Sequence, residues 1–141
     1  ALYRYSPLHQ QVESKNALRE ITITHYDFFG NMTMQQNSNG EEIRYTYNRL
    51  NQLIKKSVPF DEEQRAEQLF YYDDNGNLLK SIDADGYMVE NQYNNLNQQI
   101  ATANQIDPQN KMVTQMEYDS LGNILSVVVG ASSIKAQDGQ K

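Results

Sequence analysis

The stretch Tyr72-Asp73-Asp74-Asn75-Gly76-Asn77 has the composition of a strand end followed by a tight turn, and it recurs along the chain. A first copy, Tyr26-Asp27-Phe28-Phe29-Gly30-Asn31, lies 46 residues earlier. Another, Tyr118-Asp119-Ser120-Leu121-Gly122-Asn123, lies 46 residues later. A fixed period is the signature of a repeat architecture, so the chain is predicted to be a tandem array.

A second version of the motif alternates with the first. Tyr47-Asn48-Arg49-Leu50-Asn51-Gln52 and Tyr93-Asn94-Asn95-Leu96-Asn97-Gln98 are again 46 residues apart, and a divergent copy, Tyr5-Ser6-Pro7-Leu8-His9-Gln10, lies near the start. The anchor tyrosines follow one another in steps of 21 or 25 residues. They are Tyr5, Tyr26, Tyr47, Tyr72, Tyr93 and Tyr118.

Composition narrows the class of protein. The 141 residues carry a net charge of −6 with no basic cluster, which argues against a nucleic-acid or anionic-membrane partner. There is no cysteine, so disulfides and thiolate chemistry are excluded. No apolar run approaches the ~20 residues of a membrane helix. Because the array begins and stops part-way through a repeat, we expect the sequence to be a fragment of a longer protein.

Each anchor tyrosine ends a segment with the alternation of a β-strand. Ile21 to Tyr26 and Glu42 to Tyr47 alternate over their whole length, and the segments that end at Tyr72 and Tyr118 occupy the same place. A second short apolar segment follows each turn, as at Met32 to Met34. The sequence therefore predicts strand, turn, strand, turn throughout.

The turn residues are typical of hairpins. Asp or Asn at the first position can accept hydrogen bonds from the backbone ahead, and Gly or Asn tolerates the left-handed conformation late in the turn. A second set of turns is predicted at Asn39-Gly40 and Asp85-Gly86. Longer loops, at 59–64 and 105–110, account for the 25-residue steps, and the segment 61–68 has room for one helical turn.

The predicted fold class is all-β, with tandem antiparallel β-hairpin repeats in a curled and twisted sheet of the solenoid type. Residues 1–129 are predicted to form an array of about six repeats of 21–25 residues, and residues 130–141 a partial repeat or flexible tail. The residues expected to carry the structure are the six anchor tyrosines and the turn glycines. Those glycines are Gly30, Gly40, Gly76, Gly86 and Gly122.

Chemistry on small molecules is not indicated, and we expect no catalytic residue, metal site or cofactor. Glu41 and Glu42 are strand neighbours and point to opposite faces, so they cannot converge on one bond. The segment Asp83 to Gly86 lacks the first and last ligands of a calcium loop. The two histidines, His9 and His25, form no ligand pair with one another or with cysteine.

Alternating Tyr-Asp-x-x-Gly-Asn and Tyr-Asn-x-Leu-Asn-Gln motifs over roughly residues 3–129 resemble the YD repeats of the Rhs family. The resemblance implies hairpins joined into a strip that winds into a hollow shell, as in Rhs polymorphic toxins, in the B and C components of Tc insecticidal toxins and in the related teneurin barrel. In the toxins the shell encloses a toxic domain. No counterpart of the family's autoprotease region is found here.

Two functional hypotheses follow. The resemblance implies a non-enzymatic structural segment of a bacterial secreted or cell-surface protein, whose partners are the remainder of a larger Rhs- or Tc-like protein or its toxin cargo. Open sheet edges add edge-to-edge association of copies. The alternative is a carbohydrate- or protein-binding module that uses exposed tyrosines, with Tyr45, Tyr71 and Tyr87 as the possible ligand-facing aromatics.

Overall fold

The computed structural model describes residues 2–8, 10–61 and 63–133, and the regular elements within them are all β-strands. The all-β prediction is therefore confirmed. The strands are β1 (Leu2–Tyr5), β2 (Gln11–Lys15), β3 (Ile21–Tyr26), β4 (Met32–Gln36), β5 (Glu42–Tyr47), β6 (Leu53–Pro59), β7 (Arg65–Tyr72), β8 (Leu78–Ile82), β9 (Met88–Tyr93), β10 (Gln99–Gln105), β11 (Asn110–Tyr118) and β12 (Ile124–Ser133).

The chain divides into two compact units, Ala1–Leu69 and Phe70–Lys141, and the division falls within β7. In the first unit each strand from β1 to β7 pairs antiparallel with the next. In the second unit the strands from β8 to β12 do the same. Within each unit, then, the sheet order is the chain order, as tandem hairpins require.

The described part of the chain has no apolar core. No hydrophobic side chain in it is fully buried, and the one buried polar residue there is Ser57, at 6% exposure. Apolar side chains are instead half-covered by their neighbours in the sheet. In β5, Ile43 and Tyr45 are half-buried, whereas the residues that follow each of them, Arg44 and Thr46, are exposed. Contacts within the sheet must therefore hold each unit together.

The anchor tyrosines occupy a recurring β-bulge. Tyr47 pairs with Leu53, but Thr46 pairs with Lys55, so Ile54 has no opposite residue. The same shift of register occurs at Tyr5, Tyr26, Tyr93 and Tyr118. A bulge bends the strand and increases its local twist. Hydrophobic alternation alone does not reveal such a feature, which is why the sequence predicted the strands but not the bulges.

Both sets of turns close in the same way. In the turn from Asn37 to Glu41, the Asn37 N–H donates to the Glu41 carbonyl (3.1 Å) and the Gly40 N–H donates to the Asn37 carbonyl (3.0 Å). Gly40, the fourth residue, has φ +84°. This is a type I turn followed by a left-handed residue, the usual three-residue hairpin loop. The predicted hairpin turns at Asn39-Gly40 and Asp85-Gly86 are confirmed.

One local expectation differs from the structure. The described residues of the segment 61–68 form no helical turn, because β7 already begins at Arg65 and the Phe60 N–H closes the preceding loop on the Gln64 carbonyl (3.0 Å). The last strand, β12, runs past residue 129 to Ser133. The rest of the predicted tail, 134–141, and the predicted turn residue His9 lie outside the described residues.

Replacing Gly40 tests the turn geometry. An added Cβ at Gly40 meets nothing within 4 Å, so the backbone conformation alone sets the effect. We expect Gly40→Ala to lower the free energy of unfolding by about 1–2 kcal/mol. Gly40→Asn should lower it less, because Asn51 and Asn97 adopt φ 60° at the same place in their turns. Urea denaturation measures both, and equal losses would contradict the assignment.

Candidate functional site: paired residues in the hairpin turns

The turns that follow the anchor tyrosines, called here the tyrosine turns, are held by the side chain of their first residue. In the turn 27–31, Asp27 Oδ1 accepts hydrogen bonds from the backbone N–H groups of Phe29 and Asn31, both at 2.9 Å. The same pair of bonds forms in the other tyrosine turns whose first residue is Asp or Asn. The predicted bonding of Asp or Asn to the backbone ahead is thus confirmed.

A second bond joins the first and fifth residues of each turn, side chain to side chain. Asp27 Oδ2 accepts from Asn31 Nδ2 at 2.9 Å, whereas Asn48 Nδ2 donates to Gln52 Oε1 at 2.6 Å. A carboxylate can only accept, so its partner must be a donor; an asparagine amide can donate to an acceptor. The two versions of the motif are therefore two solutions to one pairing requirement, repeated at 73–77, 94–98 and 119–123.

The turns at the opposite ends of the strands are called here the connecting turns. Two of them use the reverse pairing. Asn16 Nδ2 donates to Glu20 Oε2, and Asn37 Nδ2 donates to Glu41 Oε2, both at 2.6 Å. Sequence reasoning missed the turn at Asn16, whose fourth residue, Arg19, has φ 65°. The signal was available, because Asn16 lies 21 residues before Asn37 and is also followed, four residues on, by a glutamate.

Neighbouring tyrosine turns are joined to each other. Asn31 Nδ2 donates a further bond to Asn51 Oδ1 in the next hairpin (2.9 Å). In the second unit, Asn77 Nδ2 donates to Asn97 Oδ1 in the same way (2.8 Å). In the Tyr-Asn version, the asparagine that is fourth in the turn (Asn51 or Asn97) thus has two roles, since it adopts the left-handed backbone and also supplies the acceptor for the preceding hairpin.

In the other kind of contact between successive tyrosine turns, a glutamine of one turn lies against a glycine of the next. A Cβ built on Gly122 would lie 3.2 Å from Gln98 Nε2, and one built on Gly30 would lie 3.6 Å from Gln10 Nε2. At Gly122 the absent side chain makes room for the glutamine amide of the preceding hairpin, in addition to permitting φ +86°. The alternation of Gly and Asn at the fourth position therefore follows from which neighbour precedes each turn.

Three anchor tyrosines bind the backbone of the strand before their own. Their hydroxyls donate to the carbonyl of that strand's first residue: Tyr47 to Met32 (2.9 Å), and likewise Tyr93 to Leu78 (3.0 Å) and Tyr118 to Gln99 (2.7 Å). These bonds cross from one hairpin to the next in register. At these three positions the anchor tyrosines therefore hold neighbouring hairpins through hydroxyl-to-backbone bonds. Tyr26 and Tyr72 are half-buried, and Tyr5 is exposed.

The ionisation of the turn residues suits these roles. The hydrogen bond from Asn31 holds the pKa of Asp27 below its ordinary value of 3.8, and Asn77 and Asn123 lower the pKa of Asp73 and Asp119 in the same way. These aspartates are therefore ionised acceptors at neutral pH. Burial raises the pKa of Tyr47, Tyr72 and Tyr93 above 10.0, so their hydroxyls keep the proton at neutral pH.

The possible ligand-facing aromatics lie in three different segments of the chain. Tyr45 is half-buried in β5 of the first unit. Tyr71, in the second unit, is 47% exposed and lines a shallow depression with Leu79, where Lys80 Nζ lies 5.4 Å from the centre of its ring. Tyr87 is also exposed but follows the connecting turn, where its N–H donates to Asp83 Oδ1 (2.9 Å).

A polar cluster that the sequence did not predict joins three strands of the first unit. Arg65 Nε donates to the hydroxyl of Ser57 (2.8 Å), and its guanidinium also donates to the Ser57 carbonyl (3.0 Å) and to the Glu42 carbonyl (2.5 Å). This cluster ties β7 and β6 to β5. It could not be found from the sequence, since it depends on the register of strands that are separated by loops.

Other kinds of site were sought in the same residues. No group of three or more His, Asp or Glu side chains in the described ranges is placed to hold a metal ion. Nor does the described part of the chain contain a helix that is long and apolar enough to cross a membrane. What the described geometry offers is a network of hydrogen bonds that closes the turns and, within each unit, connects neighbouring hairpins.

Comparison with known proteins supports the fold. No protein-family model and no curated protein matches this sequence. Among solved structures, TcdB2-TccC3 matches 90% of this chain at 16% identity with a TM-score of 0.74. TcdB2-TccC3 without its hypervariable C-terminal region matches 89% at 15% identity (TM-score 0.72), and TcdB2-TccC3-TEV matches 78% at 18% identity (TM-score 0.68).

This chain spans only 5% to 8% of the length of those three chains. At such identities the match establishes a shared fold. TcdB2-TccC3 is a Tc toxin, so the resemblance noted in the sequence is confirmed at the level of the fold. The repeats of this chain are hairpins of the kind found in Tc toxin structures.

Acid should weaken the turns that pair aspartate with asparagine. Because the folded-state pKa of Asp27, Asp73 and Asp119 is lowered, their contribution to stability is present above the ordinary aspartate pKa and is lost as the pH falls through the lower folded value. We expect the thermal unfolding midpoint to fall as the pH is lowered from about 5 to about 3.

A matched variant isolates this effect. Asp119→Asn combined with Asn123→Gln converts one turn to the neutral pairing already found at Asn48 and Gln52. The double variant should lose less of its unfolding midpoint over the same acid range than the parent chain. Equal losses in the two proteins, measured by circular dichroism, would show that the aspartate pairs do not contribute.

Proposed function

We propose that this chain is a structural segment of a hairpin-repeat wall, belonging to a longer Rhs- or Tc-like protein whose shell encloses a toxic cargo. The observation that carries the proposal is the side-chain bond between neighbouring tyrosine turns, from Asn31 to Asn51 in the first unit and from Asn77 to Asn97 in the second. The shared fold with TcdB2-TccC3 and the small fraction of that chain's length that this sequence covers support it.

The absence of a core in the described residues agrees with a wall. A sheet whose apolar side chains are at most half-buried has little to gain from folding as an isolated globule, because burial of apolar area is the main driving term. Repeat arrays solve this by adding units, each of which stabilises its neighbours. The chain is accordingly proposed to act mechanically, without catalysis, in a bacterial secreted or cell-surface protein.

The outer edge of strand β12 is a place where the sheet can be extended by another strand. Ile124, Leu125, Val127, Val128 and Val129 lie on both of its faces and are each more than half exposed. No described residue pairs with the edge of β12 that faces away from β11. An exposed apolar edge strand readily accepts another strand. We propose that it pairs with a further strand, from the remainder of the protein or, in the isolated chain, from a second copy.

A binding module is the second candidate, favoured only by the depression at Tyr71. An exposed tyrosine beside Leu79 and Lys80 has the chemistry to stack on a sugar ring. A glycan array separates the candidates, because the wall proposal expects no bound glycan. Binding that disappears in Tyr71→Ala but persists in Thr46→Ala, an exposed control position in β5, would favour the module instead.

Lengthening the array tests the wall proposal. A second copy of residues 73–118, inserted after Tyr118, adds one whole 46-residue period in register with the turns on either side. Because each repeat stabilises its neighbours, we expect a higher urea midpoint and a steeper dependence on urea in one cooperative transition. An unchanged midpoint, or two separate transitions, would mean that the hairpins do not act as one array.

A further inference from the structure

The tyrosine turns of the first unit carry apolar side chains at their tips. The residue three positions after the anchor tyrosine is Leu8, Phe29 or Leu50, and these side chains are 61%, 75% and 67% exposed. Phe28 is also exposed and meets Phe29 edge-on, with ring centres 5.9 Å apart. We call Leu8, Phe29 and Leu50 the tip row.

The turns themselves do not require an apolar residue at this place. The backbone N–H of Phe29 donates to Asp27, and the N–H of Leu50 donates to Asn48 (2.9 Å). Asn39, in a connecting turn, makes the same bond to Asn37 (3.0 Å) with a polar side chain. An exposed Leu or Phe at the tip is therefore not needed to close its own turn, and its apolar surface is available to a partner.

The tip row has a regular spacing. The tips all lie at the same end of the unit's strands, because successive tyrosine turns are two strands apart. The connecting turns lie at the opposite ends of the strands. Two strand spacings place neighbouring tips about 10 Å apart. A surface with this period is matched by another row of the same hairpins, whose tips recur at the same interval.

In the first unit, the tyrosine turns and the connecting turns differ in net charge. The tyrosine turns carry Asp27 and Arg49, which balance each other. The described residues of the connecting turns carry Arg19 against four carboxylates. Those carboxylates are Glu20, Glu41, Asp61 and Glu63. The whole chain has a net charge of −6. Two copies can nevertheless approach through the tip row without the electrostatic repulsion that the acidic connecting turns would impose.

We propose that the tip row is a contact surface for a second run of the same hairpins, and that in the isolated chain a second copy occupies it, tip row against tip row. Three or four apolar side chains bury far less than the ~800 Å² per partner of a stable complex. The contact is therefore weak and rapidly reversible in one chain, and it strengthens as more tips align in a longer array. The contact involves only these hairpins and does not depend on a cargo.

Disulfide trapping detects such a contact, and the chain lends itself to it because it has no cysteine. Phe29→Cys places a thiol in the middle of the tip row, where it meets its counterpart in a second copy. Asn39→Cys is the matched control, at the corresponding position of a connecting turn. Under mild oxidation we expect disulfide-linked dimer to form about tenfold faster with Phe29→Cys.

A second pair of changes tests the apolar basis of the contact. Leu8→Asn and Leu50→Asn, added to the Phe29→Cys chain, should reduce its rate to that of the control. Asn75 occupies the same turn position with its N–H bonded to Asp73, so the fold should tolerate asparagine there. Equal rates for the two single-cysteine chains, or a rate unaffected by the added asparagines in a chain whose circular dichroism is unchanged, would overturn the proposal.

Discussion

The constraint on which this structure depends is the absence of an interior in which apolar side chains could be buried. Among the described residues no hydrophobic side chain is fully covered, so the usual source of stability is reduced to what strand neighbours provide. Register and strand order must then be held by polar contacts, and these are concentrated where each hairpin turns. The bulges at five anchor tyrosines, the paired turn residues and the tyrosine hydroxyl bonds all lie close to the tyrosine turns.

The paired turn residues show why the repeat has two versions. Aspartate with asparagine and asparagine with glutamine both close the turn, but they leave different groups facing the next hairpin. Asn31 still has an amide hydrogen for Asn51, whereas the amide of Gln98 lies over Gly122. Because the two versions alternate, two kinds of contact occur between neighbouring hairpins, one between two asparagines and one between a glutamine and a glycine. Such local agreement between neighbouring units is what allows an array to extend with the same few residue types.

Much of this arrangement was predictable, because turn chemistry is local. The strands, the Asp and Asn acceptors and the left-handed glycines follow from residue type and period, and the structure has them where the sequence places them. The bulges, the bond from Asn77 to Asn97 and the Arg65 cluster were not predictable, since they depend on the register between strands.

The most direct test of the account is a double-mutant cycle on Asn77 and Asn97, which join neighbouring hairpins at 2.8 Å. Asn77→Ala removes the donor, and Asn97→Gly removes the acceptor while keeping a residue suited to φ 60°. The two changes should be coupled by about 0.5–1.5 kcal/mol in the free energy of unfolding. The same cycle on Asn123 and Asn97, which share no bond, should give no coupling. A coupling energy of zero between Asn77 and Asn97 would contradict the claim that the turns hold the array together.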